Sequence, residues 1–334
     1  MYNQNNFNDI QIGDAVREKL IGAIMLQAPS GAGKTTGALI IAFGMMRAKY
    51  PDLPENEVWG KIAVIDTEHR RALVNVNMLK GDVKIGVFKH IPLGKPYSVD
   101  RLVFALGLAH NQQCEVAIID STSHFWEGEG GIMDYQQELG GRFQDWKEAN
   151  KEMYYPFIDA VTGVTHEMHI INTARTKQEH VMDIDEDTGK RVVKKLGLKP
   201  VQRDSLEYEF QVVFNIDMEH KARVSKDNSG LFLGMSKTLT TEHGKLLYQW
   251  LDEGKDIIAE RQAEAARLEE QRIGLAMDIK AQAESFGLTI WLGQVTAHPY
   301  FGSDVELLPL DKLEEIRVQL QKQMEAMEQN AQNS

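Results

Sequence analysis

Ile24-Met-Leu-Gln-Ala-Pro-Ser-Gly-Ala-Gly-Lys-Thr-Thr-Gly-Ala38 lies between two apolar runs, Ile21 to Leu26 before the glycines and Ala38 to Met46 after them. The first run predicts a buried strand, the glycine-rich turn a loop, and the second run a helix. That order is the context the pattern G-x-x-x-x-G-K-[ST] requires. Ala28 occupies the first glycine position, and Gly33-Lys34-Thr35 complete the pattern. Successive N–H groups from Gly31 to Thr35 can point at a phosphate, at the positive end of a new helix. Lys34 would reach the β- and γ-phosphates of ATP, and the Thr35 hydroxyl would bind Mg²⁺. The candidate nucleotide-binding residues of the loop are Ser30, Gly31, Ala32, Gly33, Lys34, Thr35 and Thr36.

The chain around this loop has 334 residues, which suits one large domain or a core plus an appendage. It is 43% hydrophobic and 26% charged, enough apolar content for a sizeable core. A net charge of −12 excludes nucleic-acid binding by a plain basic surface, so any such contact must be a local patch or an oligomeric array. The single cysteine, Cys114, precedes an apolar strand and reads as a small buried residue; a disulfide within the chain and a cysteine-based zinc site are both excluded. Residues 1–8 lack the apolar segment of a signal peptide, and no apolar run approaches membrane-spanning length. The expectation is a soluble protein of a reducing cytoplasm, with no membrane contact.

Taken in order, the first strand and loop lead to a helix from Lys34 to about Ala48, stopped by Pro51 and Pro54. Lys61 to Asp66 is a second strand, ending in Asp66-Thr67-Glu68-His69. Val83 to His90 reads as a third, and Ser98 caps a helix from Val99 to Ala109. Glu115 to Asp120 is an apolar strand ending in an acid, the Walker B pattern, so Asp120 is the second candidate for Mg²⁺. Phe125-Trp-Glu-Gly-Glu-Gly-Gly131 and a polar helical insertion follow, up to about Val164. The strand His169 to Thr173 then runs into Arg175-Thr176-Lys177.

Asp185-Glu-Asp-Thr-Gly189 is a turn signal between Val181–Ile184 and Arg191–Val193, which predicts a β-hairpin. Its return arm is basic, with Lys190, Arg191, Lys194 and Lys195, then Lys199 and Arg203. Two readings stand: a solvated hairpin balanced by Asp183 to Asp187, or nucleic-acid contact. Tyr208 to Asp217 and Lys221 to Ser225 read as strands. From Asp252 the composition turns to Ala, Glu, Gln and Arg, predicting a long helix over residues 255–285, closed by Gly287. A small module follows, with a capping box at Asp311-x-x-Glu314 and Leu313, Ile316, Leu320 and Met327 on one face of a last helix. The expected organisation is a core over 1–252, a connecting helix over 253–287 and a helical module over 288–334.

The order of motifs gives each a role. Glu68, after the strand that follows the loop, is the candidate general base; it must lie within reach of a water in line with the γ-phosphate. Ile65-Asp-Thr-Glu-His69 resembles the catalytic-glutamate motif of RecA recombinases, Ile118-Ile-Asp-Ser121 their Walker B, and Ile170-Ile-Asn-Thr-Ala-Arg-Thr-Lys177 their sensor strand leading into a DNA-binding loop. The resemblance covers roughly residues 20–235. The chain is closer still to the phage RecA-like AAA-type P-loop ATPases, related to the phage single-strand-annealing ATPases. Phe125 to Gly131, Arg175-Thr-Lys177, Lys195 to Arg203, Tyr208-Glu-Phe210 and Val224-Ser-Lys-Asp227 carry that likeness.

The resemblance implies a RecA-like P-loop fold, α/β with a mostly parallel central sheet, and a C-terminal helical extension outside it. It implies an Mg²⁺-dependent ATPase working on single-stranded DNA in recombination, repair or replication, as a ring or filament of identical subunits, in the host cytoplasm if phage-encoded. Thr173 stands where RecA has a sensor glutamine, and with Arg175 would sense the γ-phosphate. Lys226 of Lys226-Asp-Asn-Ser-Gly230 resembles a lysine that reaches a neighbour's nucleotide, although Asn228 stands where an arginine is often found; it reads equally as a surface turn lysine. The rival reading is an ATP-switched loader or assembly factor that binds a protein, favoured by the acidic C-terminal region and by Thr173 and Asn228.

Overall fold

The computed structural model describes residues 12, 14–184, 191–302 and 304–332. Two compact units divide the chain after Gly254. In the first, strand β1 (Ala23–Ala28) leads through the glycine loop to α1 (Lys34–Lys49), then α2 (Glu55–Gly60) and β2 (Ile62–Asp66). A two-stranded ribbon, β3 (Leu79–Lys80) and β4 (Val83–Lys84), precedes β5 (Lys89–Pro92), α3 (Val99–Asn111) and β6 (Val116–Asp120). The insertion holds α4 (Ser123–Glu127), α5 (Ile132–Glu138), α6 (Trp146–Ala149) and α7 (Tyr155–Thr162). Strands β7 (His169–Ile184), β8 (Arg191–Pro200), β9 (Val212–Ile216), β10 (Ala222–Asp227) and β11 (Ser236–Lys237) follow, and α8 (Thr241–Leu251) ends the unit.

The main sheet has the order β11-β10-β9-β1-β7-β6-β2-β5. From β9 to β5 all neighbours are parallel; β10 and β11 add an antiparallel edge. This is the mixed α/β, mostly parallel sheet that the sequence predicts. Strand β7 lies between β1 and β6, so the sensor strand separates the loop strand from the Walker B strand.

Strands of a parallel sheet are buried on both faces and read as continuous apolar runs. In β1, Ile24, Leu26 and Ala28 face one layer with α1, while Ala23 and Met25 face the other with α3 and α7. The period of two places Val116 and Ile118 of β6 on the first side, and Ala117 and Ile119 on the second. Helices α1 and α8 cross closely because both crossing residues are glycine. A Cβ on Gly44 would stand 2.1 Å from the Thr241 carbonyl oxygen, and one on Gly244 2.2 Å from that of Ile41.

Three sequence expectations change here. Val83 to His90 is not one strand: only Val83–Lys84 and Lys89–Pro92 pair, while Ile85 exchanges backbone hydrogen bonds with Asn77 and Met78. Tyr208 lies in a 3-10 turn over Asp204–Glu209, and the strand starts at Val212. The hairpin exists, but its first arm is the sheet strand β7 itself, which runs past the sheet edge and pairs antiparallel with β8. The expected turn at 185–189, and Lys190, lie outside the described residues.

The second unit holds α9 (Ile257–Ser285), α10 (Thr289–Thr296) and α11 (Leu310–Gln332). Asp256 caps α9, accepting from the Ala259 N–H at 2.9 Å. Ala276, Ile279 and Ala283 of α9 join Leu292 of α10 and Leu313, Ile316 and Leu320 of α11 in one apolar core. Met327 shares that face by its spacing but is exposed, and Met324 is the last side chain of it that packs on the core. Asp311 forms no capping box, because α11 begins at Leu310 and Asp311 lies in its first turn. Among the described residues, no helix is long and apolar enough to cross a membrane.

Candidate functional site

The site forms at the carboxyl ends of β1, β7, β6 and β2, the edge where open α/β sheets place their ligands. Gly31 and Gly33 have φ of +87° and +93°, a left-handed backbone that costs glycine nothing and lets the loop turn its N–H groups inward. Gly33 is the residue before the first turn of α1, and Lys34 and Thr35 open the helix. Lys34 is buried.

Asp120 ends β6 with no solvent exposure. Its Oδ2 accepts from the Thr35 hydroxyl at 2.6 Å and its Oδ1 from the Thr173 hydroxyl at 2.5 Å. Burial pushes its carboxyl up, against the two hydroxyl hydrogen bonds and the nearby Lys34 charge. Thr35 and Asp120 thus present hard oxygen donors side by side, a donor set that fits Mg²⁺ held by one or two protein oxygens plus phosphate and water. Among the described residues no cluster of three or more His, Cys, Asp and Glu side chains could hold a metal. A site completed by phosphate oxygens and water needs no such cluster.

Glu68 stands just beyond β2, and its side chain is 6% exposed. Its Oε1 accepts from Arg175 Nε at 2.7 Å, and its Oε2 faces Arg71 Nη1 at 3.3 Å. Burial alone would raise this carboxyl, but the Arg175 hydrogen bond and charge, with Lys34 and His124, hold it below the usual glutamate range. Asp66 sets the backbone there: its Oδ1 accepts from the Glu68 N–H at 2.8 Å and its Oδ2 from the Ala72 N–H at 3.2 Å. Thr67 ties the two acidic strand ends together. Its N–H donates to the Asp120 carbonyl at 2.8 Å, and its hydroxyl accepts from the Ser121 N–H at 2.8 Å. The same hydroxyl lies 2.6 Å from His124 Nδ1, and the His124 ring stacks on Tyr97 at 4.8 Å. Burial, and then the Arg175 charge, push the His124 pKa down.

The structure therefore brings together Lys34, Thr35, Glu68, Asp120, Thr173 and Arg175. Thr173 is fully buried and commits its hydroxyl to Asp120. Arg175 continues the same strand by two residues and holds Glu68. The other candidates lie outside this group. Lys226 is half-buried and donates to the Tyr208 carbonyl at 2.6 Å, just after a register shift in β10. Arg203 stands 4.5 Å over the Tyr154 ring and donates to Asn150 Oδ1 at 3.0 Å. Arg191, Lys194, Lys195 and Lys199 fall on β8, opposite Ile184, Val181, His180 and Lys177.

Four residues of the site carry no assignment from sequence: Thr67, Asn75, His124 and His220. Asn75 accepts from the Thr36 hydroxyl at 2.8 Å, and His220 Nδ1 lies 2.9 Å from the Ala32 carbonyl oxygen. Thr67 and His124 flank the two acidic motifs, and that adjacency is the signal that could find them. His220, far along the chain, leaves no local signal.

Residues 23–248 match the family described as AAA domain. The chain belongs to that family. As an AAA-type P-loop ATPase it is a nucleotide-binding protein of a class that hydrolyses ATP, typically with a divalent metal. The AAA domain spans the whole sheet, from β1 to α8, and leaves the second unit outside. No curated protein matches the chain.

Proposed function

We propose that this AAA domain couples ATP hydrolysis to single-stranded DNA, as a RecA-like phage protein of recombination, repair or replication. Lys34 and the loop N–H groups bind the triphosphate, and Thr35 and Asp120 hold Mg²⁺, which supplies charge neutralisation at the phosphates when bound. Glu68 takes a proton from the attacking water once Arg175 lets its carboxylate go. The observation that carries the reading is the continuity of β7. One strand holds Thr173 against Asp120 and Arg175 against Glu68, then becomes the first arm of the hairpin with the basic return strand. A polymer bound along that hairpin pulls on the residue that restrains the base. Identical subunits stack so that Lys226 approaches the adjacent nucleotide, and a row of weak basic hairpins binds the strand cooperatively despite the acidic total.

The test is a titration with single-stranded DNA at two salt concentrations, with and without ATP. Saturable, ATP-dependent binding that weakens with salt is expected. No binding to any single strand would remove DNA from the reading. The second unit, with its own apolar core and its excess of acids, would then favour an ATP-switched assembly factor recruiting a protein.

A further inference from the structure

After Asp120 the chain runs beside β7 and is tied to alternate residues of it. The Thr122 N–H and hydroxyl both donate to the Thr173 carbonyl at 2.9 Å, Ser123 Oγ accepts from the Arg175 N–H at 2.9 Å, and Glu127 pairs with Lys177 at 2.6 Å. His124 turns instead to the end of β2. Its Nδ1 lies 2.6 Å from the hydroxyl of Thr67, the buried residue between Asp66 and Glu68. That hydroxyl accepts from the Ser121 N–H, which leaves it one proton to donate. Three acceptors are in reach: the Asp120 carbonyl at 3.0 Å, which also takes the Thr67 N–H, the Ser121 carbonyl at 3.3 Å, and His124 Nδ1 at the shortest distance. Buried Tyr97 stacks on the imidazole with 15° between the planes and so fixes the ring. The other ring nitrogen, Nε2, has no hydrogen-bond partner among the described residues.

We propose that His124 is a positioning residue for ATP hydrolysis, acting on Glu68 through the Thr67 hydroxyl rather than on the nucleotide. Nδ1 accepts the Thr67 proton, and the ring carries its own proton on Nε2. This rests on Glu68 being the general base. Burial and the Arg175 charge disfavour the imidazolium, which would have no lone pair left on Nδ1 to accept with. The role follows from what Glu68 must do. Its carboxylate has to leave Arg175 and meet a water at a defined point, and it swings from a backbone held at two places. The Glu68 N–H is fixed by Asp66 at 2.8 Å, and the preceding residue is fixed by the contacts of Thr67. With both in place only side-chain torsions move, so the carboxylate arrives at one position. Without the ring, the Thr67 proton falls back on the two carbonyls and the contact to α4 is lost. A misplacement of about 1 Å at a reacting group is enough to cost about 10²-fold in rate.

The experiment measures ATP affinity and single-turnover phosphate release in the full chain, for His124→Ala, His124→Asn and His124→Gln, each alone and with Glu68→Gln. His124→Ala should slow release by about 10- to 100-fold and leave ATP affinity within about twofold of the wild type. The two amides separate the ring nitrogens. Asparagine places an acceptor near the position of Nδ1, and glutamine places its amide near that of Nε2. His124→Asn should therefore recover most of the rate, and His124→Gln should stay as slow as His124→Ala. In the Glu68→Gln background, His124→Ala should cost nothing further, because a residue that works through Glu68 has nothing left to position. Undiminished release in His124→Ala overturns the proposal. So does recovery by glutamine equal to or better than that by asparagine, which would put Nε2 on the reacting groups. A full additional loss in the Glu68→Gln background also overturns it, since that is the mark of a general structural role. If Glu68→Gln alone hydrolyses ATP at the wild-type rate, the assignment of the base fails, and this inference falls with it.

Discussion

The two units of this chain are packed on opposite terms. The first buries Lys34, Asp66, Thr67, Glu68, Asp120, Ser121, Thr122, Ser123, Asn172 and Thr173 among its apolar side chains. The second has an all-apolar core of Ala, Ile, Leu and Val. Among the described residues every buried polar or charged side chain belongs to the first unit. Burying a carboxylate or an amine costs free energy unless it is paired. A sheet that buries this many has given up some of its stability for chemistry, while the helical unit uses its interior to hold its own shape. The difference teaches where ATP chemistry can be located, and it can be attacked from both sides.

The largest effect should come from Lys34→Ala. Loss of the loop cation is expected to abolish nucleotide binding, read by calorimetry; tight ATP binding in the variant would deny the loop its role. Glu68→Gln comes next. It should still bind ATP but lose turnover by about 10²- to 10⁴-fold, the usual range for a general base. Undiminished hydrolysis would move the base to Glu127 or Glu129. Ile316→Ala attacks the other unit. Truncating a fully buried isoleucine should destabilise that unit by about 2–5 kcal/mol while ATP turnover per folded molecule stays the same. A parallel fall in turnover would erase the contrast between the units.

The smallest and most particular effect concerns Arg175→Ala. Glu68 is held below its ordinary range because Arg175 outweighs the burial that raises it. A group depressed on folding contributes stability above its unfolded pKa, and that contribution is lost as pH falls through the folded value. Without Arg175, burial wins and the carboxyl titrates higher. The acid limb of the pH–rate profile should therefore move to higher pH in the variant, and stimulation by single-stranded DNA should disappear. An unchanged acid limb would show that Glu68 is not the group titrating.

The contrast also explains which regions of the molecule are legible in sequence. The loop, β2, β6 and the start of β7 are evident because each couples an apolar run to a polar terminus at the same sheet edge. Asp66, Glu68 and Asp120 follow from that pattern. The segment from Val83 to His90 misleads because its alternation reports burial alone. Ile85 and Phe88 are buried, but the backbone between them has no adjacent strand to pair with. The pairing of Arg175 with Glu68, and the placing of His220 beneath the phosphate loop, depend on strand order. Residues 107 and 188 positions apart, respectively, meet only because β7 and β2 flank β6 and because β9 lies beside β1. No local pattern encodes such a meeting. The apolar face of α11 agrees with its helical spacing as far as Leu320 and fails at Met327, where the helix outruns the core it packs on.

Strand β7 is 16 residues of unbroken extended chain. From Arg175 to Ile184 it reaches about 30 Å at roughly 3.3 Å per residue. Mechanically it is a tiller: pivoted where the sheet grips His169 to Ala174, it converts a tilt of a few degrees at the pivot into a displacement of ångströms at the far end. Run backwards, under the proposed coupling a load on the far end would arrive at Glu68 geared down into a small movement.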